Sequence, residues 1–318
     1  MSEEGLLSFI GISRKKFFNW KQVYGEPRKY SDNFSRINMI TAEEKELIID
    51  FYRKHPLDGY RRCAYMMIDK DIAFVQPSSV YRILKEADVM RSRTVKSSSK
   101  GTVFVQPLKP HEQWHSDISN VTAGDTVYHL ISIIDGYSRS VIAWDLREKM
   151  KTFDVNIVFQ KAKELYPDAR PRCISDNGKQ YKCQEFAQFI SRNEYSHTTT
   201  SPYYPQSNGK QERFHGTIKK ECIRIQCPLN LDDAKKIIEK YIQYYNKERL
   251  HSAISYIAPH DKLDGKEAII FAKRDQKLKL AKENRARVNT NNYKQKQRNH
   301  VIELFRQYDK VELSKVVN

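Results

Sequence analysis

Residues 113–147, which read QWHSDISNVTAGDTVYHLISIIDGYSRSVIAWDLR, decide the fold class. Three runs in this stretch, QWHSDIS, VYHLISIID and SVIAWDL, are rich in β-branched and aromatic residues. Turn residues, among them Gly124, Gly136 and Ser138, separate the runs. Short apolar runs broken by such residues are typical of consecutive strands. We therefore expect a three-stranded antiparallel meander.

The chain after the meander alternates between helix and strand patterns. Residues 152–165 predict a helix, PRCIS at 171–175 predicts a buried strand, and residues 183–192 predict a second helix. EYSHTTT at 194–200 follows as a last strand, and 207–224 as a long helix. The order βββαβαβα indicates an α/β core with a mixed sheet, which we place at residues 111–260.

The N-terminal residues predict part of a helix-turn-helix over residues 1–30. Residues 6–24 form a short helix, a turn at Gly11 and a second helix capped by Ser13. An ordinary helical hairpin with a solvated basic face fits the same pattern equally well. Under the DNA-binding interpretation, the contacts come from the second helix, at Arg14, Lys15 and Lys16.

Residues 38–90 predict a helix-turn-helix DNA-binding domain. Thr41 and Glu44 form a T-x-x-E capping box before a helix whose apolar face consists of Leu47, Ile48 and Phe51. A second helix is predicted from Tyr60 to Asp69. Three-helix bundles also serve purely structural roles, so this pattern alone favours DNA binding only modestly.

The third helix of this domain begins near Ser78 and is the candidate DNA-reading helix. Its apolar positions follow the i, i+3, i+4, i+7 spacing of a buried stripe, occupied by Val80, Ile83, Leu84 and Ala87. The opposite face exposes polar and basic residues. The candidate DNA contacts on this face are Ser79 and Arg82.

Two basic segments flank the core. Residues 91–110 are rich in serine and end in prolines, so they predict a basic linker. Residues 261–318 form a basic C-terminal extension without a sustained apolar stripe. Disorder and an extended helix are both compatible with that composition.

The composition predicts a polyanionic partner. The 318 residues carry a net charge of +17, and the excess is concentrated in the flanks. The five cysteines form no CxxC pair, which argues against a zinc module and indicates free thiols in a reducing cytoplasm. The absence of an apolar run of 18 residues argues against membrane insertion.

Three carboxylates stand at positions that suggest chemistry. Asp117 ends the first predicted strand, Asp176 follows the buried strand, and Glu212 lies in the long helix. Side chains at the carboxyl ends of core strands converge on a crevice in α/β sheets. At about 100° per residue, Glu212 points roughly 200° away from the buried Phe214. The open face around Glu212 is predicted to include Asn208, His215, Gly216 and Lys219. Of these, Asn208, His215 and Lys219 are candidate DNA contacts.

Clustered carboxylates repel one another unless a cation or a proton lies between them. Mg²⁺ or Mn²⁺ suits oxygen-only ligands, and two such ions about 3.5–4 Å apart can serve both the attacking and the leaving oxygen of phosphoryl transfer. Taken singly, each acid is more typical of a turn residue, a strand-end cap or a surface charge.

The sequence motifs around these acids resemble those of the integrase-core transposases. WHSDIS resembles the first block of that family, SDNGKQY the second, and SPYYPQSNGKQERFHGTIKKE the third. Thirty-five residues, 177–211, separate Asp176 from Glu212, an interval typical of retroviral integrases and of the bacterial IS-three insertion sequences. YNKERLHSAISYIAP resembles the segment that closes such cores.

The resemblance implies a ribonuclease-H-like fold with Asp117, Asp176 and Glu212 as catalytic, metal-binding residues. It also implies cleavage of double-stranded DNA at the element's ends, attack of the freed 3′-hydroxyl on target DNA, and a terminal-DNA contact at Lys219. We expect a homo-oligomer acting on DNA at the bacterial nucleoid. Two alternatives stay open: a catalytically idle DNA-binding descendant of a transposase, and a nuclease of the same fold that cuts without joining.

Overall fold

The computed structural model describes residue 7 and residues 13–22, 38–90, 106–200 and 209–316. It divides into two compact units, one spanning residues 42–279 and the other lying within residues 1–41 and 280–318. Each unit is described by itself.

The unit within residues 1–41 and 280–318 contains the predicted N-terminal helix. Helix α1 (Arg14–Gln22) begins after Ser13, whose Oγ accepts a hydrogen bond from the Lys16 N–H at 3.4 Å, so the predicted cap is confirmed. Leu7 is buried, and the rest of the predicted first helix lies outside the described residues. Asn289 donates a 2.9 Å hydrogen bond to the Met39 carbonyl within the same unit.

The unit of residues 42–279 begins with three helices, α2 (Ala42–Lys54), α3 (Tyr60–Asp69) and α4 (Pro77–Glu86). Their buried faces follow the predicted periodicity at Ile48, Phe51, Val80, Ile83 and Leu84. Two predicted core positions are wrong. Leu47 is 49% exposed because it faces away from the other two helices, and Ala87 is exposed because α4 ends before it.

A five-stranded mixed sheet follows, and it confirms the predicted meander. The strands are β1 (Gln113–Ala123), β2 (Thr126–Asp135), β3 (Val141–Arg147), β4 (Arg172–Ser175) and β5 (Ser196–Thr199). Their order in the sheet is β3-β2-β1-β4-β5. β2 is antiparallel to both neighbours, and the β1–β4 and β4–β5 pairs are parallel. This is the ribonuclease-H-like arrangement.

Helices cover both faces of the sheet, which is why the strand sequences are apolar on both sides. One face packs against α5 (Thr152–Leu165) and α7 (Gln184–Arg192), with Trp114 and Phe159 at its centre. The other face packs against α8 (Gly209–Ile218) and α10 (Leu231–Lys247). Between β4 and α7 lies the single turn of α6 (Lys179–Lys182).

The predicted long helix 207–224 is interrupted. Helix α8 ends at Ile218, and a π-helix (Lys219–Ile223) leads into α9 (Arg224–Gln226). Single π-turns inside α-helices are rare and occur frequently at functional sites. Beyond α10 lie a 3-10 turn (Ser252–Ile254), α11 (Pro259–Leu263) and α12 (Glu267–Val316). The C-terminal extension is therefore an extended helix over most of its length.

Charged and aromatic contacts join the three-helix module to the rest of its unit. The Asp69 carboxylate accepts two hydrogen bonds from Arg274, at 2.6 and 2.8 Å, and Arg274 also donates to the Tyr256 carbonyl. Tyr65 stacks on Tyr256 with 5.1 Å between ring centroids. These contacts fix the module on the segment that follows the sheet.

The turn between β1 and β2 requires glycine. Gly124 has φ +54°, and a Cβ there would lie 2.6 Å from the Leu229 carbonyl oxygen. We expect Gly124→Ala to lower the free energy of unfolding by about 1–3 kcal/mol because a backbone atom has to move. Gly216→Ala is the control. Its Cβ meets nothing within 4 Å in a helix, so it should stabilise by about 0.5–1 kcal/mol. Urea unfolding of the two variants measures the contrast, and equal effects would contradict it.

The five cysteines are all free thiols, as predicted. Among the described residues, no helix combines the length and the apolarity needed to cross a membrane.

Candidate active site

The two aspartates occupy matching positions on neighbouring strands. His115 of β1 pairs with Ile174 of β4 in the parallel register. Continuing that register by two residues brings Asp117 opposite Asp176, just beyond the end of β4. Neighbouring strands lie about 4.8 Å apart, so the two aspartates lie side by side at one edge of a crevice. The prediction that Asp117 ends its strand is wrong, because pairing with β2 continues β1 to Ala123.

Asp117 faces helix α8, since side chains alternate along a strand. Trp114 and Cys173 pack into the opposite core with α5 and α7, and positions separated from them by an odd number of residues face the other way. The Asp117 carboxylate lies 3.5 Å from His215 of α8, which confirms this orientation. Asp176 is held by a 3.0 Å hydrogen bond from the Gly178 N–H to its Oδ1.

Tyr181 lies close to both aspartates from the other side of the sheet. Its hydroxyl is 2.8 Å from Ser116 Oγ, and the side chain is buried. Burial raises the pKa of Tyr181. The Ser116 hydrogen bond lowers that pKa, and the negative charges of Asp117 and Asp176 raise it further. Tyr181 therefore stays neutral and supports the two strand ends.

Glu212 stands in the first turn of α8 and is exposed. It makes no hydrogen bond or ion pair with another described residue, so its carboxylate is not used in a structural contact. The described part of the chain contains no group of three His, Cys, Asp or Glu side chains already placed to hold a metal ion. Asp117 and Asp176 thus lie on adjacent segments of the sheet edge, and Glu212 lies on helix α8.

His215 does not lie on the open face that the helix periodicity predicts. Its side chain is 5% exposed and lies against Asp117, with Nε2 at 3.1 Å from Ser132 Oγ on β2. The expectation of an open position fails because α8 packs closely on β1 and β2. His215 therefore contacts the first carboxylate, and its burial does not fit a direct contact with DNA.

The first turn of α8 contains a lysine with a strongly lowered pKa. Burial lowers the pKa of Lys210 to about 7, Arg139 lowers it through like charge, and Asp135 partly opposes both effects. The Asp135 carboxylate itself accepts hydrogen bonds from the N–H groups of His111 and Ser138 and from the Ser138 hydroxyl. The turn after β2 is therefore rich in buried charge.

The other predicted DNA contacts are distributed over separate elements. Lys219 is half-buried at the first residue of the π-helix. On α4, Arg82 is exposed and donates a 3.2 Å hydrogen bond to the half-buried Ser79. Asn208 lies outside the described residues. The three basic residues at the start of α1 are exposed: Arg14, Lys15 and Lys16.

Comparison with known families agrees with this site. A family model described as integrase core domain matches residues 107–205, and a second model with the same description matches residues 193–259. Between them they include Asp117, Asp176 and Glu212. The InsK transposase of insertion sequence element IS150 from Escherichia coli K12 is 24% identical over 267 residues, which is 80% of this chain and 90% of that protein. Residues 107–259 of this chain are an integrase core domain.

Other insertion-sequence relatives are similarly distant. The IS904 transposase of Lactococcus lactis is 26% identical over 179 residues, covering 56% of this chain and 68% of that one. Among solved structures, a chain of the simian T-cell lymphotropic virus intasome is 18% identical, with a TM-score of 0.46 and coverage of 66% and 73%. The HTLV-2 integrase catalytic core in complex with magnesium, in its dimeric form, is 24% identical, with a TM-score of 0.39 and coverage of 48% and 95%.

Three residues that surround the carboxylates were not predicted as site residues: Gln211, Ser132 and Tyr181. Gln211 and Tyr181 nevertheless lie within the quoted motifs SPYYPQSNGKQERFHGTIKKE and SDNGKQY. Gln211 did carry a usable signal. It lies three residues before Phe214 and seven before Ile218, so this polar side chain occupies the buried stripe of α8. Ser132 and Tyr181 carry no comparable signal.

Proposed function

We propose that this transposase cuts DNA at the ends of its element and joins the freed 3′-hydroxyl to target DNA, using Asp117, Asp176 and Glu212 as its catalytic carboxylates. One observation carries the proposal. The parallel register of β1 and β4, continued by two residues, places Asp176 beside Asp117, and Asp117 contacts His215 on the helix that bears Glu212. His215 is the sole basic side chain in contact with this pair among the described residues.

The donor set fits a hard divalent cation. The three candidate ligands are carboxylates, and two of them lie side by side without a Lys or Arg partner among the described residues, so a cation would relieve their repulsion. Asp117 and Asp176 would hold Mg²⁺ or Mn²⁺, and Glu212 would complete a site for two ions. Bound ions of this kind activate an attacking oxygen and stabilise the leaving oxygen of a phosphodiester.

The remaining residues bind and orient the DNA. Arg82 and Ser79 on α4 would read the terminal sequence, and Lys219 would hold a phosphate near the carboxylates. Arg14, Lys15 and Lys16 would add phosphate contacts from α1. Because an element has two ends, the working complex is a homo-oligomer with both ends and a target bound, acting at the nucleoid in the bacterial cytoplasm.

The test is a strand-joining assay with the purified full chain and labelled DNA that carries the terminal sequences of the element. We expect joined products with Mg²⁺, their loss when EDTA removes the metal, and their recovery when Mg²⁺ is restored. DNA binding is measured in parallel by gel shift in EDTA, where the protein should still bind the ends.

The products distinguish this proposal from its alternatives. Cleaved DNA without joined products would overturn strand transfer and favour a nuclease. Binding without cleavage or joining in Mg²⁺ or Mn²⁺ would overturn the enzymatic proposal and favour a DNA-binding descendant.

A further inference from the structure

Gln211 is fully buried although it is polar and directly precedes Glu212. Its Nε2 donates to the main-chain carbonyl of His115 and, at 2.9 Å, to that of Ser132. Its Oε1 accepts a 3.0 Å hydrogen bond from Ser132 Oγ. The side-chain amide thus uses both donor hydrogens and its carbonyl oxygen on two strands of the sheet.

The two strand residues that Gln211 contacts, His115 and Ser132, lie next to Asp117 in the sheet. His115 lies two residues before Asp117 on β1, and Ser132 of β2 is the register partner of Asp117. Ser132 Oγ also lies 3.1 Å from His215 Nε2, and His215 Nδ1 lies 3.5 Å from the Asp117 carboxylate. A continuous polar chain therefore runs from Gln211 through Ser132 and His215 to Asp117.

We propose that Gln211 is a positioning residue that sets the placement of Glu212 relative to Asp117. Apolar packing alone allows a helix to rotate or slide on a sheet by small amounts because dispersion contacts are not directional. Three hydrogen bonds with fixed directions remove that freedom at the first turn of α8, the turn that bears Glu212. This inference rests on the proposed function, since Glu212 needs a defined position only if it joins Asp117 and Asp176 at a metal.

A purely structural role for Gln211 predicts a different effect when the residue is replaced. A buried glutamine could serve only to satisfy two strand carbonyls, and its loss would then lower stability without affecting metal binding. Removing a residue that orients a metal ligand, by contrast, typically lowers metal affinity or activity about 10–100-fold. Metal affinity therefore separates the two roles.

The experiment compares Gln211→Met with Phe214→Leu. Gln211→Met keeps the side-chain volume and removes all three hydrogen bonds, whereas Phe214→Leu loosens the same buried stripe without touching a polar contact. Binding of Mn²⁺ is measured without DNA, from the electron paramagnetic resonance signal of the free ion, and thermal unfolding is measured alongside. We expect Gln211→Met to weaken Mn²⁺ binding about 10–100-fold and Phe214→Leu to leave it unchanged at a comparable loss of stability.

Ser132→Ala provides a second variant that removes fewer bonds and keeps the test valid if Gln211→Met does not fold. It should weaken Mn²⁺ binding in the same direction by a smaller factor, because one of the three hydrogen bonds of Gln211 is lost. Wild-type Mn²⁺ affinity in either folded variant would overturn the positioning role. If Asp176→Asn itself binds Mn²⁺ as the wild type does, the proposed metal site fails first and the role of Gln211 fails with it.

Discussion

Glu212→Gln is expected to lower the rate of strand joining about 100–1,000-fold while DNA binding stays at the wild-type level. Loss of a group that acts on charge developing in a transition state typically costs this much. The substitution keeps the shape of the side chain and removes its negative charge. Glu212 is exposed and makes no structural contact with a described residue, so the variant should fold normally.

Glu185→Gln is the matched control for this substitution. Glu185 is also exposed in the first turn of a helix, α7, so both changes remove the same favourable interaction with a helix N-terminus. We expect the control to join strands at the wild-type rate. Equal rates for the two variants in single-turnover assays at saturating Mg²⁺ would exclude Glu212 from the chemistry.

Glu221→Gln is expected to lower the free energy of unfolding by about 3–5 kcal/mol, as removal of one partner from a buried ion pair does. The Glu221 carboxylate accepts two 2.7 Å hydrogen bonds from Arg249 and one of 2.9 Å from the Tyr241 hydroxyl. Arg62 of α3 lies 3.9 Å away. With a neutral amide at position 221, Arg249 would remain buried without its counter-charge.

The same contacts predict how the loss of stability caused by Glu221→Gln depends on pH. Burial acts to raise the pKa of Glu221, but the hydrogen bonds and charge of Arg249, with smaller effects of Tyr241 and Arg62, lower it overall below the ordinary 4.5. A carboxyl with a lowered pKa in the folded state stabilises fully above its unfolded value and loses that contribution as the pH falls through its folded value. The difference in the free energy of unfolding between wild type and Glu221→Gln should therefore be constant above about pH 4.5 and decrease below it.

Urea unfolding of wild type, Glu221→Gln and Glu239→Gln between pH 3 and pH 8 measures both effects. Glu239 is exposed on α10 and serves as the control, for which a change below about 0.5 kcal/mol is expected. If the difference in free energy of unfolding between wild type and Glu221→Gln stays unchanged down to pH 3, the carboxylate is not the stabilising group.

The secondary structure and the pair of aspartates were accessible to sequence-based prediction because their signals are local. The runs around Asp117 and Asp176 have the composition of strands, although Asp117 lies inside β1 rather than at its predicted end. The helix 152–165 has the bounds that its apolar periodicity predicts. Local pattern was sufficient wherever one element's own residues decide its conformation and its buried face.

The residues that surround and position the carboxylates could not be predicted from local sequence in the same way. Gln211 bonds to Ser132, 79 residues away, and His215 is buried only because α8 packs on β1 and β2. The π-helix follows a segment whose apolar spacing is that of an ordinary α-helix, so the sequence predicted no interruption after Ile218. These features depend on which elements meet in three dimensions, which no short window of sequence specifies.

The anchoring of the three-helix module has a practical consequence for protein engineering. A chimaera that exchanges residues 42–90 at the linker would sever the stacking of Tyr65 on Tyr256 and leave Arg274 and Glu221 facing foreign side chains. Uncompensated charges at such a seam destabilise a graft even when both pieces fold separately. A transplant of the three-helix module therefore has to carry matched partners for Arg274 and Glu221, and the boundary for exchange follows these contacts rather than the linker.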